Sequence, residues 1–187
     1  GIASSFTLTG SVGGDARVYI DSSANINGTI AGDLAVSDYS SELLHIQRPP
    51  EVPPTRITLE TNSVVRGETT LQAGIIIVRG STQGPVILTA DDITFGGTHA
   101  GSVTLTSPEI LLEAGLHITG DLTYTCDREL FTNGTVRVDG QLIKTEPPPP
   151  PDALTQLLNE LQDPVRGIAT ALFAAIPLLL LLPGFAV

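Results

Sequence analysis

The chain has 187 residues, enough for one ordinary domain and appendages, and carries nine Lys and Arg against 20 Asp and Glu, a net charge of -11. With no basic cluster to meet phosphates, nucleic acid is excluded as a partner. Aromatics make up 4%, Met and Trp are absent, and one cysteine, Cys126, leaves no intrachain disulfide and reads as a buried, inert thiol.

The apolar content is Val, Ile and Leu, which suits strands, and it is punctuated by a recurring frame. Residues 10–16 read Gly-Ser-Val-Gly-Gly-Asp-Ala, and residues 28–34 read Gly-Thr-Ile-Ala-Gly-Asp-Leu. The frame returns at 80–86 and 97–103, with shorter copies at Gly120-Asp121-Leu122 and Gly140-Gln141-Leu142. The second glycines, Gly14, Gly32, Gly67, Gly84, Gly101, Gly120 and Gly140, are spaced 18, 35, 17, 17, 19 and 20 apart. This predicts an all-β, parallel, right-handed β-helix of coils of about 18 residues, three short strands to a coil, over residues 1–143. The spacing of 35 reads as two coils, one of them irregular, and the glycines read as corners with positive φ.

Within the coils, Phe6 and Leu8, Val18 and Ile20, Leu34 and Val36, Ile57 and Leu59, Val103 and Leu105, and Val136 and Val138 alternate with polar residues. The apolar members of each pair face an axial core and the polar residues between them face outward. Residues 37–56 break the register, because Arg48-Pro49-Pro50-Glu51-Val52-Pro53-Pro54 cannot donate a regular ladder of hydrogen bonds. That segment reads as a loop ejected from the wall and a candidate partner-binding element. The solenoid ends around Phe6 and Leu142 are further candidates, because uncapped strands leave hydrogen bonds open.

Residues 144–151 form a linker whose five prolines, Pro147 to Pro151, give a polyproline II spacer of roughly 15 Å. Residues 152–163 read as an amphipathic helix with Leu154, Leu157, Leu158 and Leu161 on one stripe. Residues 168–187 carry no charge and match the thickness of a bilayer core, so one transmembrane helix is expected. Its lipid-facing candidates are Ile168, Leu172, Phe173, Ile176, Leu179, Leu180, Leu182 and Phe185. Loss of a signal peptide would account for the missing Met and places the solenoid on the extracytoplasmic, periplasmic side.

The Gly-x-Val/Ile-x-Gly-Asp frames at 10–15 and 28–33 resemble those of bactofilin-type polymer-forming proteins. The layout is similar to secreted bactofilin-like bacterial proteins, in which a β-helix precedes a proline-rich linker and hydrophobic segments. The resemblance implies a cofactor-free β-helix that acts in scaffolding or self-assembly. The insertion at 48–54 and the uneven later coils depart from that pattern.

Coils of 18 residues also occur in hexapeptide acyltransferases, which need a general base, usually His. His45 falls in the irregular segment, and His99 and His117 are 18 apart, but their offsets from Gly101 and Gly120 differ, so their side chains need not share a face. Surface histidines are expected, with no catalytic, metal or cofactor site. Asn27-Gly28-Thr29 and Asn133-Gly134-Thr135 match glycosylation acceptors but read as corner chemistry. The functional expectation is a non-catalytic, membrane-anchored scaffold acting as an accessory subunit of a larger membrane complex. Its partners would be membrane protein subunits and the lipid bilayer, and the alternative is a self-assembling envelope scaffold.

Overall fold

The structure, a computed structural model, describes residues 2–38, 53–128 and 130–146. The chain divides between Pro147 and Pro148, and all described residues belong to the first unit. These residues wind into a parallel β-solenoid of about seven turns.

Each turn contributes a strand to each of three faces. The first face stacks Ile2–Leu8, the second half of Ala16–Ile26, Arg56–Leu59, Ile75–Val78, Asp92–Phe95, Glu109–Glu113 and Phe131–Asn133. The second stacks seven two-residue strands, from Ser11–Val12 and Thr29–Ile30 to His117–Ile118 and Arg137–Val138. The third stacks the first half of Ala16–Ile26, Leu34–Asp38, Thr69–Gln72, Val86–Thr89, Val103–Thr106, Leu122–Thr125 and Leu142–Thr145. All recorded pairings are parallel, as coils stacked along one axis require.

On the second face, residue 11 pairs with 29, 29 with 64, 64 with 81, 81 with 98, 98 with 117 and 117 with 137. The glycine spacing therefore gives the register of the stack. Its interval of 35 is one coil and not two. Gly67 N donates to Gly32 O at 3.0 Å, so the two glycines lie on adjacent rungs. The extra residues enter at the corner between the third and first faces. Two residues suffice there in later coils, as at Ala73-Gly74 and Ala90-Asp91. Ser37 and Asp38 still belong to a strand, and Thr55 is buried beside the next strand, so the break in register begins after Asp38. Thr55 Oγ1 donates to Asp38 Oδ2 at 2.7 Å and accepts from Gly74 N at 3.0 Å, which closes the base of the insertion.

From Gly32 onward the ladder glycines are needed for close approach. A Cβ on Gly101 would lie 2.5 Å from Gly84 O, and one on Gly84 would lie 2.4 Å from Gly67 O. Positive φ occurs instead at Gly97, Gly115 and Gly134, which corrects the expectation that the ladder glycines supply it. After Gly14, Gly32 and Gly120 the following Asp has its own task. Asp15 Oδ1 accepts from Asp33 N at 2.9 Å, Asp33 Oδ1 from Glu68 N at 2.8 Å, and Asp121 Oδ1 from Gln141 N at 2.8 Å. A short carboxylate thus ties these three corners to the next coil, where the corner would otherwise leave an amide unpaired. Above Glu68 stands Pro85, which has no N–H to receive such a bond.

The inward positions fill the axis. Ile20, Ile26, Ile30, Val36, Ile57, Leu59, Ile76, Val78, Leu88, Ile93 and Leu105 are fully buried, and of these Ile20, Val36, Ile57, Leu59 and Leu105 belong to the alternation read from the sequence. Phe6, Leu8, Val136 and Val138 also face inward but are only partly covered, being in the terminal coils. Small residues turn the corner between the third and first faces, where Ala73, Ala90, Ser107 and Cys126 are all buried. Cys126 is the buried thiol expected, its Sγ donating to Pro108 O at 3.2 Å.

Candidate functional site

The inward column of the second face runs Val12, Ile30, Val65, Thr82, His99, Ile118 and Val138. Two polar residues therefore sit inside an aliphatic spine. His99 is fully buried, which corrects the expectation that it lies at the surface. Its ring stacks on Phe95, with centroids 4.3 Å apart and planes inclined at 21°. Nε2 lies 2.9 Å from Gly96 O, and a carbonyl only accepts, so Nε2 carries the proton. Nδ1 is then the acceptor for the Thr82 hydroxyl at 2.9 Å. Burial lowers the imidazole pKa from 6.5 to about 4, against a smaller opposing effect of the Gly96 carbonyl. The ring is neutral at physiological pH, with both nitrogens satisfied. It is a packed structural histidine with no route to a substrate.

His117 pairs with Thr98, the residue before His99, and faces outward. The two imidazoles thus point to opposite sides of the wall. His117 Nε2 lies 2.9 Å from Asp139 Oδ2, and Arg137 Nε donates to Asp139 Oδ1 at 2.6 Å. The bonds from His117 and then Arg137 hold the Asp139 carboxyl below its usual pKa. This cluster is solvent-screened. His45 lies outside the described residues.

An open depression of about 270 Å³ is lined by Asp15, Ala16, Arg17, Asp33 and Ala35. Both carboxylates there already accept the corner amides of the next coil. Among the described residues no group of three or more His, Cys, Asp or Glu is placed to hold a metal ion.

The outward surface is more distinctive. On the third face, one column runs Thr70, Ile87, Thr104, Thr123 and Ile143, and its neighbour runs Gln72, Thr89, Thr106, Thr125 and Thr145. Sequence reading assigned these positions only as outward. The signal was present in Thr104-Leu105-Thr106 and Thr123-Tyr124-Thr125, one rung apart, but it gains meaning only once the rungs are stacked. On the first face, Ile77, Thr94, Leu111 and Phe131 form an outward column with apolar members. Beside it, Arg79 forms a bidentate pair with Glu113 two coils away, at 2.8 to 3.1 Å, reaching over Gly96.

Of the residues proposed from sequence for partner contacts, Phe6 is partly buried against the core and Leu142 is 58% exposed on the last coil. Phe131 and Ile143 are exposed on the same coil. Pro53 and Pro54 are exposed at the corner that leads into Arg56. Arg48, Pro49, Pro50, Glu51 and Val52 lie outside the described residues, as do the amphipathic stretch 152–163 and the apolar stretch 168–187. Among the described residues no helix is long and apolar enough to cross a membrane. Compared with protein-family models, with curated proteins and with solved structures, the chain matches none.

Proposed function

We propose that this chain is a non-catalytic scaffold, anchored in a membrane by residues 168–187, that braces a larger membrane protein complex on the extracytoplasmic side. The observation that carries this reading is the filled axis. Aliphatic side chains occupy the interior from coil to coil, and the buried imidazole of His99 is neutral and fully hydrogen-bonded. A solenoid of this kind works through its outer surface and its ends. The exposed apolar side chains of Phe131, Leu142 and Ile143 give the final coil a surface suited to a protein partner. The anchor rests on a run of 20 uncharged residues, long enough as a helix to cross a bilayer core.

Purification of the native assembly in mild detergent tests the proposal. One copy of this chain among unrelated membrane subunits is the expected result. Long homopolymers would overturn it in favour of a self-assembling envelope scaffold, the reading that the bactofilin-like layout favours.

A further inference from the structure

We infer that the third face is a binding surface for a crystalline lattice of water, that is, for ice. The inference goes beyond the scaffold reading and does not depend on it.

Parallel rungs repeat at about 4.8 Å, and alternate residues of one strand are about 6.6 Å apart. The two outward columns therefore hold Thr89, Thr104, Thr106, Thr123, Thr125 and Thr145 on a near-rectangular net, with Ile87 and Ile143 supplying methyl groups at the remaining points of those coils. Such a net approaches the repeats of oxygen atoms on a prism plane of ice, slightly wide along the stack and slightly short along the strand. Among the described residues none of these six hydroxyls has a side-chain partner, whereas Thr70, one coil earlier, is already bonded to Glu68. Thr89, Thr104, Thr106 and Thr145 are exposed and the other two are half-buried.

Three physical features favour this occupant. Charge is the first: the protein carries a net charge of -11, yet the ten outward positions from Thr70 to Thr145 hold no ionisable group, so this stretch of the face complements an uncharged partner, and the charge of Arg17 lies on the same column only in the first coils. Stiffness is the second. Branching at Cβ restricts χ1, and hydrogen bonds on both sides fix each strand, so little freedom is lost on binding. The third is the chemistry of the array. Each Thr offers a methyl that orders nearby water and a hydroxyl that joins the ordered net. A neutral polysaccharide would be expected to find aromatic platforms, and these two columns contain none from Thr70 to Thr145.

The test uses the full chain in mild detergent, frozen slowly onto a growing ice front, with the protein assayed in the ice and in the remaining liquid. Enrichment in ice over a non-binding reference protein is expected. The pair Thr104→Lys with Thr106→Lys should reduce that enrichment to the level of the reference, whereas Thr98→Lys on the second face should leave it intact. Thermal melting checks that each variant is folded. A second pair, Thr89→Lys with Thr125→Lys, interrupts the same net on other coils if the first fails to fold. Exclusion of the unaltered protein from ice would overturn the inference. So would equal incorporation of both lysine pairs, or capture by insoluble cellulose in place of ice. None of these outcomes bears on which subunits co-purify with the chain.

Discussion

Glycine serves two different ends in this chain, and they can be told apart experimentally. At Gly101 the obstacle to a side chain is the backbone of the coil below, with Gly84 O, Gly84 C and Pro85 N all within 2.8 Å of a would-be Cβ. At Gly115 nothing lies within 4 Å, and the obstacle is a φ of +82°. Asn tolerates left-handed backbone far better than a close steric approach. Gly115→Asn should therefore stay near the wild-type stability, whereas Gly101→Asn should lose about 1–3 kcal/mol in urea unfolding, the usual cost of overpacking. His99 makes the second prediction at this scale. Its folded pKa, about 4, lies below the ordinary 6.5, so protons favour the unfolded chain. The contribution is fully present above pH 6.5 and is lost as the pH falls towards 4. It amounts to about 2 kcal/mol between pH 7 and pH 5, from the difference in protons bound. Urea midpoints should fall over that range in the wild type and much less in His99→Leu. An equal fall in both would refute the buried neutral imidazole.

Between neighbouring coils, corners are tied to the rung above by carboxylates. Asp33 receives Glu68 N across the boundary where the insertion enters, so it ties together the two coils most separated in sequence. Asp33→Ala should cost about 1 kcal/mol, the net worth of one such bond, and Asp33→Asn should restore most of it because the amide oxygen still accepts. Thermal melting of the two variants distinguishes a lost acceptor from a lost charge. The corner that carries the insertion is also closed by Thr55 and Asp38 at 2.7 Å. Replacing residues 40–52 by a short Gly-Ser link should then leave the melting temperature nearly unchanged, since loop length enters stability only logarithmically.

The whole molecule depends on a continuous spine. Ile30 and Val103 are buried on different faces and different coils, and an Asp at either would place an unpaired charge among aliphatic neighbours. Ile30→Asp and Val103→Asp should each lose several kcal/mol and the cooperative melt, as removal of one rung uncouples its neighbours. Normal melting in both variants would refute the axial core. Among the described residues the spine is filled by side chains from coil to coil.

Much of this was legible in the sequence because a solenoid repeats its local chemistry. The second glycine of each frame marked successive rungs, and period-two alternation marked inward pairs such as Val18 and Ile20, Leu34 and Val36, Ile57 and Leu59, and Val103 and Leu105. Distance along the chain was the weaker guide. An interval of 35 residues cannot by itself distinguish two coils from one coil with an insertion, and only the bond between Gly67 and Gly32 decided it. Likewise, an offset of one residue decides whether a histidine points in or out, so His99 was placed by its Phe95, Thr82 and Gly96 neighbours and not by its spacing from His117. The threonine net belongs wholly to the tertiary structure. Its members are scattered over 57 residues, from Thr89 to Thr145, and become one surface only when hydrogen bonds between coils bring the rungs into register.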